Sequence, residues 1–152
     1  MPIALIIYAS LTGNTHAIAE GVASQLQKQG VQTVIQECQQ AEAKDFLQYD
    51  ICLVGTYTYG SQGDLPDEIY YLYEDLEKLR LDRKVYGVFG SGEVFYNYFC
   101  KSVDDFDNRF QKTGAIRGAE PLKIEEDPKR EDEAKIAAFA QELLTTYQKV
   151  NL

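Results

Sequence analysis

Hydrophobic positions along this chain fall into two kinds of run. Residues 3–8 (IALIIY), 51–55 (ICLVG) and 85–89 (VYGVF) are continuously apolar, and a weaker β-rich run, VQTVIQEC, covers 31–38. Short continuous runs bounded by turn residues indicate strands buried on both faces, as in a parallel sheet. Between them the spacing becomes helical. Ile18, Val22 and Leu26 recur along 15–29, with Gly30 as a stop. A second helix is expected over 66–80, opening at Pro66, a favoured first-turn residue. A third covers 97–113 with Phe99, Val103, Phe106 and Phe110 on one face, and a fourth covers 128–149 with Ile136, Phe139, Leu143 and Tyr147. A short helix is expected over 42–48. The fifth strand falls at 115–118 or 121–124, and Pro121 suggests an interrupted edge strand.

Strand and helix thus alternate five times. That order implies an α/β fold, a doubly wound parallel sheet with right-handed crossovers and helices on both faces. The 152 residues contain no repeat, low-complexity tract or linker, so one domain over 1–152 is expected. In such sheets ligands sit beyond the carboxyl ends of the strands, where the strand order reverses. Attention therefore goes to the loops after the first, third and fourth strands.

The first loop reads Ser10-Leu11-Thr12-Gly13-Asn14-Thr15. It offers three hydroxyls, an amide and a flexible glycine, and it opens onto a helix N-terminus, where free N–H groups and the helix dipole favour an anion. The first Lys or Arg of the chain is Lys28, so this is no GxxxxGK[ST] triphosphate loop, and the GxGxxG dinucleotide fingerprint is absent too. A phosphate monoester suits it, held without a cation and leaving negative charge beside the ligand. The alternative is an ordinary Ser/Thr/Asn helix cap. His16, the single histidine, reads as an exposed first-turn residue.

The second loop contains Gly55-Thr56-Tyr57-Thr58-Tyr59-Gly60-Ser61-Gln62-Gly63-Asp64, and the third Gly90-Ser91-Gly92-Glu93-Val94-Phe95-Tyr96-Asn97-Tyr98-Phe99-Cys100. Glycine lets backbone approach a flat ligand, and tyrosine supplies an aromatic face. Two such loops beside a phosphate loop point to an aromatic phosphate monoester such as FMN.

Charge and cysteine content narrow the picture. A formal net charge of -9 makes nucleic acid a poor partner, and an acidic surface suits basic proteins and repels anionic membranes. No apolar run approaches the ~20 residues of a membrane helix, and the first residues read as a strand rather than a signal peptide, so a cytoplasmic location is expected. Cys38, Cys52 and Cys100 form no CxxC pair, which argues against disulfides; Cys38 and Cys52 read as small core hydrophobes. One histidine leaves no His-based metal cluster, and no metal is expected.

On these three loops the chain resembles a flavodoxin of the short-chain kind over essentially its full length. The resemblance, not the spacing, implies the strand order 2-1-3-4-5 of a five-stranded sheet. It implies FMN bound by Ser10, Leu11, Thr12, Gly13, Asn14 and Thr15 at the phosphate, and by Thr56, Tyr57, Thr58, Tyr59, Gly60, Ser91, Gly92, Glu93, Tyr96, Tyr98, Phe99 and Cys100 around the ring. Tyr96 would stack on the solvent-side face, and Tyr59, where many relatives carry Trp, on the inner face. Backbone near Glu93, Tyr98 and Cys100 would meet the pyrimidine edge. Ser61-Gln62-Gly63 departs from the family's more usual acidic stretch, and Glu93 stands where Asp is common.

The implied role is a low-potential electron carrier, not an enzyme, shuttling single electrons through semiquinone and hydroquinone states. A peptide flip at Gly60 would aid the first of these, since glycine tolerates positive φ. Partners would be redox proteins such as a flavin reductase or an iron–sulfur oxidoreductase with basic docking faces, and the chain would be a monomer. Residues 61–77 hold six acids and no Lys or Arg. Each carboxylate roughly 10 Å from an anionic flavin, at an effective dielectric of about 40, shifts the potential by about 35 mV. The competing readings are an FMN-dependent reductase or ribonucleotide-reductase activator on the same fold, and a response-regulator-like domain. The last needs acids after the first strand, where YASLT has none.

Overall fold

The computed structural model describes residues 2–58, 65–92 and 100–152. Its strands are β1 (Ile3–Tyr8), β2 (Gln32–Glu37), β3 (Ile51–Tyr57), β4 (Val85–Gly92), β5 (Ile116–Arg117) and β6 (Leu122–Glu125). Its helices are α1 (Asn14–Lys28), α2 (Asp67–Leu76), α3 (Lys101–Gln111) and α4 (Glu133–Val150), with 3₁₀ turns at Cys38–Gln40, Ala43–Gln48 and Arg130–Asp132. The sheet is parallel throughout and runs β2-β1-β3-β4-β5, as the resemblance implies.

The fifth position is shared by both candidate segments. β5 pairs with Val85 and Tyr86, and β6 pairs with Phe89, Gly90, Ser91 and Gly92 further along the same strand. Gly118 closes the first piece by donating its N–H to the Tyr86 carbonyl at 2.8 Å. Pro121, which has no N–H to offer a ladder, stands just before the second piece. The expected interruption is therefore present, and the sheet counts six strands in five positions.

Period-2 alternation divides the strands between two cores. Ala4, Ile6, Ile51, Leu53, Val85 and Phe89 pack against Ile18, Val22 and Leu26 of α1 and Ile136, Phe139 and Leu143 of α4. Leu5, Ile7, Cys52, Val54, Tyr86 and Val88 pack against Ile69, Leu72 and Leu76 of α2 and Val103, Phe106 and Phe110 of α3. This places every β-to-α loop at one end of the sheet.

Four helical expectations shift. The third helix, expected over 97–113, is α3 at Lys101–Gln111; residues 97–99 lie outside the described residues, and 112–114 form a turn. The 42–48 segment is 3₁₀ rather than α. α2 stops at Leu76 because Glu77, Lys78 and Leu79 donate to residues three back, closing the helix in tight turns. α4 starts at Glu133, after Pro128 and a 3₁₀ turn in which Asp132 accepts from the Lys129 N–H at 2.9 Å.

All three cysteines are buried and free. Burial pushes each thiol from near 9 up to about 12. The folded chain thus keeps protons that the unfolded chain releases. These groups leave stability unchanged below pH 9 and lower it as pH rises from 9 toward 12. The folded protein should resist a thiol reagent at pH 8 and label at all three positions in urea; rapid labelling without denaturant would contradict the buried assignment.

Candidate cofactor site

The loop after β1 folds around one hydroxyl. Ser10 Oγ accepts the N–H of Gly13 at 3.0 Å and of His16 at 3.4 Å. Gly13 sits at φ 95°, a left-handed conformation that glycine adopts without strain, and from there the chain enters α1. The cap position itself is a glycine with no side chain, so the hydroxyl that reaches the first turn is that of Ser10, three residues upstream. The cap alternative therefore holds in part for Ser10, whose hydroxyl accepts a first-turn N–H, while the cap position itself is Gly13, which has no side-chain oxygen. Leu11 and Thr12 are exposed, Asn14 is half-buried and Thr15 is buried. His16 stacks on Tyr8 with ring centroids 5.0 Å apart, its Nε2 lies 2.9 Å from Glu20 Oε1, and it is half-buried rather than fully exposed.

The other two loops are tied to the first and to each other by hydroxyls. Thr15 Oγ1 lies 2.9 Å from Ser91 Oγ at the end of β4. The Ser91 carbonyl accepts the Thr58 N–H at 3.3 Å. Thr58 Oγ1 lies 2.9 Å from Ser102 Oγ, which donates to the Tyr57 carbonyl at 2.9 Å. Thr56 is buried beneath, and the Tyr57 hydroxyl reaches Glu68 Oε1 on α2 at 3.5 Å. Gly92 is fixed by its carbonyl, which accepts the Glu126 N–H at 2.8 Å beyond β6. Cys100 stands at φ 52° as the residue before α3, its side chain buried with Sγ near the Gly90 carbonyl.

The structure thus brings together Ser10, Gly13, Thr15, Thr56, Tyr57, Thr58, Ser91, Gly92 and Cys100 at the carboxyl end of the sheet. Tyr59, Gly60, Glu93, Tyr96, Tyr98 and Phe99 lie outside the described residues. Ser102 escaped the sequence reading because it looks like an interior residue of an amphipathic helix. The α1 terminus, with glycine at its cap position, hydroxyls around it and no Lys or Arg in its loop, fits a phosphate monoester.

The acidic run is weaker than its composition suggests. Arg109 from α3 places Nη1 3.1 Å from Glu77 Oε2 and lies 3.9 Å over the Tyr73 ring. Asp67 and Glu68 occupy the first turn of α2, where carboxylates also stabilise the helix dipole. The Glu77 carboxylate is therefore paired with a cation from α3.

The flavodoxin family model matches residues 6–139. The chain belongs to the flavodoxin family. A Bacillus subtilis (strain 168) relative named as probable flavodoxin 2 is 36% identical over 144 residues, covering 91% of each chain. The solved flavodoxin of Streptococcus pneumonia TIGR4 is 48% identical with a TM-score of 0.92, covering 95% of this chain and 99% of that one. A short-chain flavodoxin associated with a non-canonical PDU bacterial microcompartment is 40% identical with a TM-score of 0.94, covering 97% and 99%. The protein is accordingly a low-potential electron carrier of the short-chain type that carries FMN, and the reductase and activator readings are not favoured. Domains of this family also work with redox enzymes. One such domain makes up part of the Vibrio cholerae sulfite reductase flavoprotein, 31% identical over 125 residues that span 20% of that protein. Among the described residues no helix is long and apolar enough to cross a membrane.

Proposed function

We propose that this chain holds FMN across its three carboxyl-end loops, with the phosphate at the N-terminus of α1 and the ring between the loops that follow β3 and β4. The observation that carries this reading is the α1 terminus, with glycine at its cap position, joined through Thr15 and Ser91 to the end of β4. Ser10, Thr12 and Thr15 supply hydroxyl donors, and the first-turn N–H groups add their dipoles. Thr56, Thr58, Gly92 and the Cys100 backbone border the ring, together with Tyr59, Gly60, Glu93, Tyr96, Tyr98 and Phe99 from the adjoining sequence. When bound, FMN takes up and releases one or two electrons. The loop's lack of a cation leaves the phosphate charge uncompensated, and that charge opposes adding electrons nearby. The remaining acids at this end, Asp67 and Glu68 among them, would steer basic faces of redox partners such as a flavin reductase or an iron–sulfur oxidoreductase. A cytoplasmic monomer suits this role.

The test is a titration of the flavin-free protein with FMN and with riboflavin, which lacks the phosphate. FMN should bind one per chain, and at least about 100-fold more tightly, since charge-assisted hydrogen bonds contribute about 1.5–3 kcal/mol each. Equal affinity for the two flavins would overturn the phosphate assignment.

A further inference from the structure

The Thr15–Ser91 contact contains more information than its length. The two hydroxyl oxygens are 2.9 Å apart, and the residues are 1% and 4% exposed. Two hydroxyls carry two hydrogens, and the bond between them uses one. Among the described residues neither oxygen has another partner, so one hydrogen is left over in a buried place. An unused buried donor is costly and calls for an acceptor.

Position decides which hydroxyl holds the spare hydrogen. Thr15 lies in the first turn of α1, two residues after the glycine at its cap position, whereas Ser91 lies within β4. A phosphate oxygen in this environment accepts hydrogen bonds. Thr15 can donate to it only if it takes its own bond to Ser91 as the acceptor.

We infer that Ser91 is a positioning residue rather than a ligand. Its hydroxyl donates to Thr15 Oγ1 and so turns the Thr15 hydrogen toward the phosphate. This rests on the phosphate assignment made above. It also gives β4 a stake in phosphate recognition, because the Ser91 carbonyl holds the Thr58 N–H of the second loop.

The test compares FMN and riboflavin affinities of the flavin-free parent, Thr15→Val, Ser91→Ala and the double variant. Ser91→Ala should weaken FMN about tenfold, the equivalent of one hydrogen bond, and leave riboflavin unchanged. Added to Thr15→Val, it should cost nothing further, because Ser91 acts only through Thr15. Equal losses for both flavins, no loss for either, or an additive double variant would each overturn the inference. A Thr15→Val protein that keeps the parental preference for FMN would instead overturn the phosphate assignment. Should Ser91→Ala fail to fold, Ser91→Cys, whose thiol is a weak donor, takes its place with the same selective loss expected.

Discussion

Gly90→Ala should cost the fold about 3 kcal/mol, seen as a lower urea midpoint, and should weaken FMN binding as well. Gly90 pairs with Thr56 in the β3–β4 ladder. A Cβ at Gly90 would lie 2.3 Å from the Thr56 carbonyl oxygen and 2.4 Å from Val103 Cγ2. The side chain of Val103 can rotate, but the carbonyl belongs to the neighbouring strand and can retreat only if the strands part. Gly55 makes a useful contrast. Its Cβ would meet the Phe89 ring at 2.4 Å, so the obstacle there is a side chain rather than a strand. The strain at Gly90 falls between two site residues, because Thr56 is its partner and Ser91 its neighbour. A variant with a parental urea midpoint would show that β3 and β4 separate more easily than their packing implies.

Tyr96→Ala should weaken FMN by about 2 kcal/mol, roughly 30-fold, by removing one aromatic plate from the ring. Riboflavin should suffer the same loss, because stacking involves the ring and not the phosphate. That shared loss separates Tyr96 from Ser91, whose effect should fall on FMN alone. Tyr59→Ala should behave like Tyr96→Ala if the second tyrosine covers the opposite face. Unchanged FMN affinity in either variant would remove that residue from the stack.

The sequence made the central strands legible because β1, β3 and β4 are buried on both sides and so read as unbroken apolar runs. The edge was ambiguous for a physical reason. β5 and β6 are 2 and 4 residues long, too short for either to outweigh the other, and the structure uses both. Helix ends were less legible than helix faces. Phe106 and Phe110 announce the buried face of α3, but where the helix begins depends on Cys100 entering a left-handed conformation, which no pattern of apolar residues encodes.

At the site, the phosphate loop could be read from its hydroxyls and its missing cation. The links between loops could not. Thr15 and Ser91 are 76 positions apart, and Thr58 and Ser102 are 44 apart. Only the fold brings them together. The same holds for Arg109, which neutralises Glu77 from another helix and tempers a charge count made along a single stretch of chain.

The broken outer strand has a consequence for how this protein lives at high concentration. An unpaired strand edge is a template on which another chain can add itself, and long flat edges seed aggregation. Here the β5–β6 border never presents more than 4 residues in a row, Pro121 interrupts it, and Lys123 stands within the longer piece. The break shortens that template on the β5–β6 side and leaves β2, 6 residues long, as the longer edge of the sheet.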